Sequence, residues 1–248
     1  IVTSISMFYD LEEPVKFAQE VASILDVEGV WVFEQSYLPA MLRQNSYDTI
    51  CHEHLEYYSL NAIEYIMKQA GLTIIDASQN EVNGGSIRLA AVRLDSSSSS
   101  NISPEAISLM EQEKNHNIHS IATFRSFQEN AERQKTDLIK LLHELKKAGK
   151  TVVGYGASTK GNVILQYCGI STDLLSCIGD ITPFKDGTYT PGTKIPIVSM
   201  EKAKAMKPDY FLVLPWGFRN DILLREKEGV LNQGSKMIFP LPFVEIVS

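Results

Sequence analysis

From residue 105 to residue 148 the chain contains neither glycine nor proline, and Gly149 ends the run. A stretch so free of breakers reads as helix, opened by Ser103 as N-cap with Pro104 in the first helical position. One unbroken helix of that length would extend roughly 65 Å at about 1.5 Å per residue, and a break is expected near Asn115-His116-Asn117. Leu138, Leu141, Leu142 and Leu145 form an apolar stripe along it, which reads as a packing surface. The rest of the chain falls to one side or the other of this helical stretch.

Before it, strand and helix alternate. "IVTSISMFY" is β-branched and apolar, "EPVKFAQEVASIL" has helical spacing with Pro14 near its start, and "VWVFEQ" reads as a second buried strand. "NAIEYIMKQAG" is a helix closed by Gly71. "LTIIDASQNEV" and "SIRLAAVRL" follow as strands joined through Asn83-Gly84-Gly85, a hairpin signal. The serine tract 96–100 then reads as a flexible linker. After Gly149 a second block alternates: "TVVGY", "LLSCIGD", "DYFLVLP" and "KMIFPL" as strands, with "TKGNVILQYCG", "VSMEKAKAM" and "FRNDILLREKEG" as helices. Strands separated by helices imply a parallel, doubly wound sheet, so the fold class is α/β throughout.

Composition excludes several classes. A net charge of -7 argues against a nucleic-acid binder, which would show a basic patch. No apolar run approaches the roughly 20 residues that span a bilayer, and no signal-peptide core opens the chain. The three cysteines, Cys51, Cys168 and Cys177, form no C-x-x-C pair, consistent with reduced thiols in a cytoplasmic protein. The chain begins at Ile1, inside an apparent strand and without an initiator methionine, so the native protein is expected to extend further towards the N-terminus.

Two stretches can carry chemistry. "GYGASTKGN", residues 154–162, joins a strand to a helix, where glycines let backbone approach phosphate and the helix N-terminus favours anions. Asp180 ends the next strand, where a dinucleotide domain places its ribose acid, but Gly161 comes two residues late for G-x-G-x-x-G. A phosphorylated ligand, NAD and a tight packing turn all remain open here. Downstream, the loop "GDITPFKDGTYTPGTKIPI" offers Lys185 and the Pro191-Gly192 turn at the carboxyl end of a strand. The second stretch is "YDTICHEHLEYYSL", residues 47–60. His52 and His54 lack the spacing that presents two imidazoles on one helix face, so no metal is expected. A general base with an adjacent carboxylate and a hydrogen-bonded structural histidine both fit. His116 and His119 read as a solvated helix face, and Cys51, with nothing to mark it as an activated nucleophile, as a small buried residue.

Taken together, "MFYDLEEP", "YDTICHEHLEYYSL", "EVNGGSIR", "GYGASTKGN" and "YTPGTKIPI", in this order and spacing, resemble the sugar-nucleotide C-methyltransferase family over nearly the whole chain. The resemblance implies that residues 1–95 are the later part of an S-adenosylmethionine-dependent methyltransferase domain, whose sheet ends in an antiparallel hairpin. Residues 96–150 would be linker and helical connection, and 151–248 a Rossmann-like C-terminal domain. The family's zinc cysteines and Gly-rich cofactor turn do not occur in this chain. The resemblance further implies His54 as the base, Glu53 as its neighbour, and Tyr9 as a catalytic candidate. Phe8 and Tyr9 would contact adenosylmethionine.

The acceptor implied is a keto-deoxysugar linked to a nucleoside diphosphate. Removal of a proton beside its ketone would give an enolate that takes the methyl group. Asn83 and Gly84, with Lys160, Asp180, Lys185, Pro191 and Gly192, would contact this substrate, and Trp216 would stack on a ring. No nucleic acid and no membrane are expected as partners. An exposed sheet edge at the first strand would favour a homodimer or weak adenosylmethionine binding. A non-catalytic nucleotide-sugar-binding module and an NAD-dependent oxidoreductase are the alternatives.

Overall fold

The structure, a computed structural model, covers residues 1–248 and describes all of them except the side chain of Asn83. The contact expected of Asn83 therefore lies outside the described residues. The chain separates into two compact units, one formed by Ile1–Gln44 and His52–Arg125, the other by Asn45–Cys51 and Ser126–Ser248.

In the first unit the elements are β1 (Val2–Ile5), α1 (Pro14–Ile24), β2 (Val30–Ser36), α2 (Leu38–Arg43), α3 (Leu60–Gln69), β3 (Leu72–Asn80), β4 (Ser86–Arg93) and α4 (Pro104–Asn115). They build a sheet of order β1-β2-β4-β3, with β1 parallel to β2 and β4 antiparallel to both its neighbours. The hairpin expected at Asn83-Gly84-Gly85 is there, and its second strand inserts between β2 and β3. Gly85 explains the glycine pair. Its φ is +113°, and a Cβ there would stand 2.5 Å from the Cβ of Ala40. The core joins the β2 face carrying Trp31 and Phe33 to Phe8, Ala18, Val21, Leu60, Ile63 and Met67.

Three local expectations are corrected in this unit. The first strand stops at Ile5, because Ser6 turns to φ +53° and donates its N–H to the Glu34 carbonyl at 2.7 Å. Phe8–Asp10 then form a 3-10 turn at the strand's carboxyl end. The serine tract is tied down, since Ser96 and Ser97 donate to the Glu28 carboxylate at 2.8–3.1 Å. The helical stretch does break, between α4 and α5 (Ile121–Lys147). However, α4 belongs to the first unit. Its Glu113, 3 % exposed, accepts the Tyr37 hydroxyl at 2.7 Å, the N–H groups of Leu60 and Asn61 at 2.6 and 3.0 Å, and the Asn61 amide at 2.7 Å. One buried carboxylate thus serves the first-turn donors of α3 that have no partner within their own helix.

In the second unit follow most of α5, β5 (Val152–Tyr155), α6 (Thr159–Cys168), β6 (Ile178–Asp180), β7 (Ile197–Ser199), α7 (Met200–Ala205), β8 (Tyr210–Val213), α8 (Arg219–Glu226), β9 (Lys236–Phe239) and β10 (Glu245–Val247). The sheet order is β10-β9-β8-β5-β6-β7, parallel except for β10. This is the doubly wound α/β arrangement expected from the alternation. Its order reverses between β5 and β8, the switch point beside which ligands of such sheets bind. The leucine stripe of α5 packs here, with Leu138, Leu142 and Leu145 in the core and Leu141 against it. Two strands escape the sequence pattern because they are short. β7 runs directly into α7, with Ser199 capping the helix through the N–H of Lys202, and β10 has only the residues 245–247.

Candidate active site

The first unit brings Tyr9 and His54 together at the carboxyl end of β1. Their ring centroids lie 4.4 Å apart with the planes tilted by 53°. The backbone sets this geometry: the Tyr9 carbonyl accepts the N–H groups of Leu55 and Glu56, each at 3.1 Å. The irregular segment after His54 is therefore held on the 3-10 turn that follows β1. Asp10, the next residue of that turn, has its carboxyl raised by partial burial, against the lowering field of His54 and with a further push from Glu53. Glu53 itself is exposed, 4.0 Å from the Nε2 of the exposed His52. Sequence reasoning named Glu53 as the carboxylate of the base and passed over Asp10. The only signal was its place in "FYD", beside Tyr9.

Phe8 is a packing residue. Its ring is enclosed by Phe17, Trp31, Phe33 and Tyr58 at 5.6–6.1 Å between centroids, and it is 1 % exposed. The expected cofactor contact through Phe8 is thereby corrected, because no face of the ring is left for a ligand. Tyr9 remains as a residue that could line such a ligand, since it sits at the carboxyl edge of parallel strands. Gly84, in the 3-10 turn before Gly85, is buried at φ +86°.

Other candidates are spread through the second unit. Lys160, in the first turn of α6, has its ammonium pKa lowered by burial, partly offset by the fields of Asp48 and Cys51. Asp48 is 1 % exposed and accepts the Trp216 indole N–H at 2.7 Å. Burial pushes its carboxyl up to about 6, although Lys160, the Trp216 bond and the amides of Asp48 and Thr49 all favour the charge. Trp216, 7 % exposed, packs in the core of the second unit with its indole N–H bonded to Asp48.

Asp180 and Lys185 line a cavity of about 170 Å³ with Gly156, Ser158, Thr182 and Arg225. The Asp180 carboxylate already accepts the N–H groups of Ala157 and Thr182, at 2.7 and 2.8 Å, and pairs with Lys185 at 3.3 Å. Burial opposes its charge, yet these donors outweigh burial and hold its pKa low. Both oxygens are thus engaged where a dinucleotide's ribose would need them. The late glycine has a packing reason, since a Cβ on Gly161 would meet the Leu214 Cβ at 2.7 Å. Pro191 and Gly192 fold back on α6, where the Gln166 amide donates to the Pro191 carbonyl at 3.1 Å. Among the described residues no helix is long and apolar enough to cross a membrane.

Two comparisons show the family of the chain. A family model described as the C-methyltransferase C-terminal domain matches residues 81–242. The C-methyltransferase NovU of Streptomyces niveus is 34% identical over 228 residues, covering 92% of this chain and 54% of that protein. The chain thus spans about half the length of this curated relative. An α/β chain of two Rossmann-like sheets, matched over most of its length in both comparisons, belongs to the C-methyltransferase C-terminal domain family.

Proposed function

We propose that this chain carries the base and acceptor-binding elements of an adenosylmethionine-dependent C-methyltransferase, acting on a nucleotide-linked keto-deoxysugar. The observation that supports it most is the packing of Tyr9 on His54 at the carboxyl end of β1. In this reading the neutral imidazole of His54 removes a proton from the carbon beside the ketone, and that carbon becomes the nucleophile. The Tyr9 ring and the two amide bonds to its carbonyl restrict where the imidazole can go, so positioning is settled before the acceptor arrives. Asp10, whose carboxyl feels the field of His54, is the negative group placed to favour the imidazolium formed after proton transfer. Adenosylmethionine, when bound, supplies an electrophilic sulfonium methyl group.

The second unit supports the nucleotide part of the reading separately. Its switch-point cavity carries Lys185 and Arg225, cationic groups suited to phosphate oxygens, although Lys185 also bonds the Ala157 carbonyl and Asp180, and Arg225 the Tyr155 hydroxyl. NAD chemistry has less support there, because the Asp180 carboxylate is already filled by its own chain.

The test is hydrogen exchange at carbon. In D2O without a methyl donor, the chain should place deuterium beside the ketone of a nucleoside diphosphate keto-deoxysugar, and His54→Asn should abolish this. A panel of uridine, thymidine and guanosine diphosphate keto-sugars, none of which exchanged, would defeat the proposal.

A further inference from the structure

Gln35 ends the buried face of β2 and is 0 % exposed, yet among the described residues neither its Nε2 nor its Oε1 has a hydrogen-bond partner. The hydroxyl of Tyr58, 6 % exposed as a residue, is in the same condition. Such groups are uncommon, because roughly nine in ten buried polar groups are paired and each orphan costs about 1–3 kcal/mol.

The two belong to one wall. Phe8 packs on Phe33 and on Tyr58, at 5.6 Å between centroids in each case. Gln35 lies two residues beyond Phe33 on β2 and shares its face, since side chains alternate along a strand. The turn bearing Phe8 continues directly into Tyr9, whose ring holds His54. Ser6, donating to the Glu34 carbonyl, fixes that turn beside the end of β2. Both unsatisfied groups therefore belong to the packing around Phe8, the residue that precedes Tyr9 in the turn.

Their chemistry is specific. A carboxamide and a phenol both donate hydrogen bonds without carrying charge, and burial together with the field of Glu56 keeps the Tyr58 phenol protonated. Donors of this kind do little for a neutral ketone and much more for an oxygen gaining negative charge in a dry site. We propose that the Gln35 carboxamide N–H and the Tyr58 O–H donate to the acceptor's ketone oxygen as its neighbouring carbon is deprotonated. The C–H bond breaks, its proton passes to His54, the electron pair forms the carbon–carbon double bond, and the carbonyl pair moves onto the oxygen. This rests on the enolate reading above and adds the groups that hold the charge.

Gln35→Met and Tyr58→Phe test it by the same deuterium exchange, with thermal denaturation alongside. Each variant should slow exchange at saturating keto-sugar by about a hundredfold, the usual loss for one oxyanion donor, with KM changing less. Their melting temperatures should equal or exceed that of the wild type, because a buried orphan has been replaced by an apolar group of similar shape. Exchange at the wild-type rate in both variants would overturn the inference while leaving the base assignment intact. So would a clear fall in melting temperature in both, which would make the two groups structural. A wild-type chain that exchanges no proton in any keto-sugar would remove the enolate reading and this inference with it.

Discussion

Tyr9 holds His54 by two independent means: its ring packs on the imidazole at 4.4 Å, and its carbonyl accepts the amides of the next two residues. Neither residue is in regular strand or long helix. An irregular segment carrying His54, the proposed base, is thus braced by a 3-10 turn at the end of a sheet strand. This is the arrangement that lets a loop residue be placed reproducibly, by a rigid neighbour rather than by its own backbone.

If ring packing is what Tyr9 contributes, Tyr9→Ala should lower deuterium exchange far more than Tyr9→Phe. A loss on the order of a hundredfold for alanine is expected from misplacement of the base. Equal losses in the two variants would assign the role to the hydroxyl. The comparison needs only initial exchange rates at saturating keto-sugar.

Glu113 should dominate the stability of the first unit. Glu113→Ala strands the Tyr37 hydroxyl and the α3 N–H groups, so a loss of about 3 kcal/mol or more is expected. Glu113→Gln keeps an acceptor and should cost less. Denaturant titration gives both values, and a change under about 0.5 kcal/mol for alanine would show that water replaces the carboxylate.

Asp48 should make stability depend on pH. Its folded pKa, about 6, lies above the ordinary carboxylate value of 3.8, so the folded chain holds this proton more tightly than the unfolded one. Its contribution to stability is therefore largest below pH 4 and falls as pH rises from about 4 to 6. Asp48→Asn removes the cost of burying the charge. Relative to wild type it should gain stability across that window, by up to about 3 kcal/mol from the two-unit shift. Melting temperatures of both proteins at pH 4 and pH 7.5 supply the check; parallel curves would contradict it.

Gly85→Ala should destabilise by more than about 2 kcal/mol, since the backbone sits at φ +113° and the new Cβ would overlap Ala40. Gly149→Ala also meets φ +70° but has open space around it, so it should cost less. A melting-temperature comparison separates steric crowding from backbone strain.

Much was legible before any fold was known. Periodicity placed most of the strands and helices, Ser103-Pro104 and Gly149 bounded the long helical stretch, and Asn83-Gly84-Gly85 marked the hairpin. The motifs also pointed to His54 and Tyr9, which the structure brings together. These features are local: caps, breakers and alternation act over a few residues and need no distant partner.

What escaped depended on partners far along the chain. Asp48 and Trp216 are 168 positions apart, and only the fold brings them together as a buried, bonded pair. Glu113 reaches the start of α3 from 52 positions away, which joins α4 to the first unit, whereas the resemblance implied a helical connection there. Asp180, which ends its strand where a dinucleotide domain places a ribose acid, accepts N–H groups of Ala157 and Thr182 from its own chain. Gln35 looked like one more residue in an apolar strand. The sequence by itself determined the α/β alternation and the motifs that bear Tyr9 and His54. Tertiary structure alone decided which buried polar groups are satisfied and which, among the described residues, are left without a partner, because desolvation and hydrogen bonding are set by whatever the fold packs against each atom.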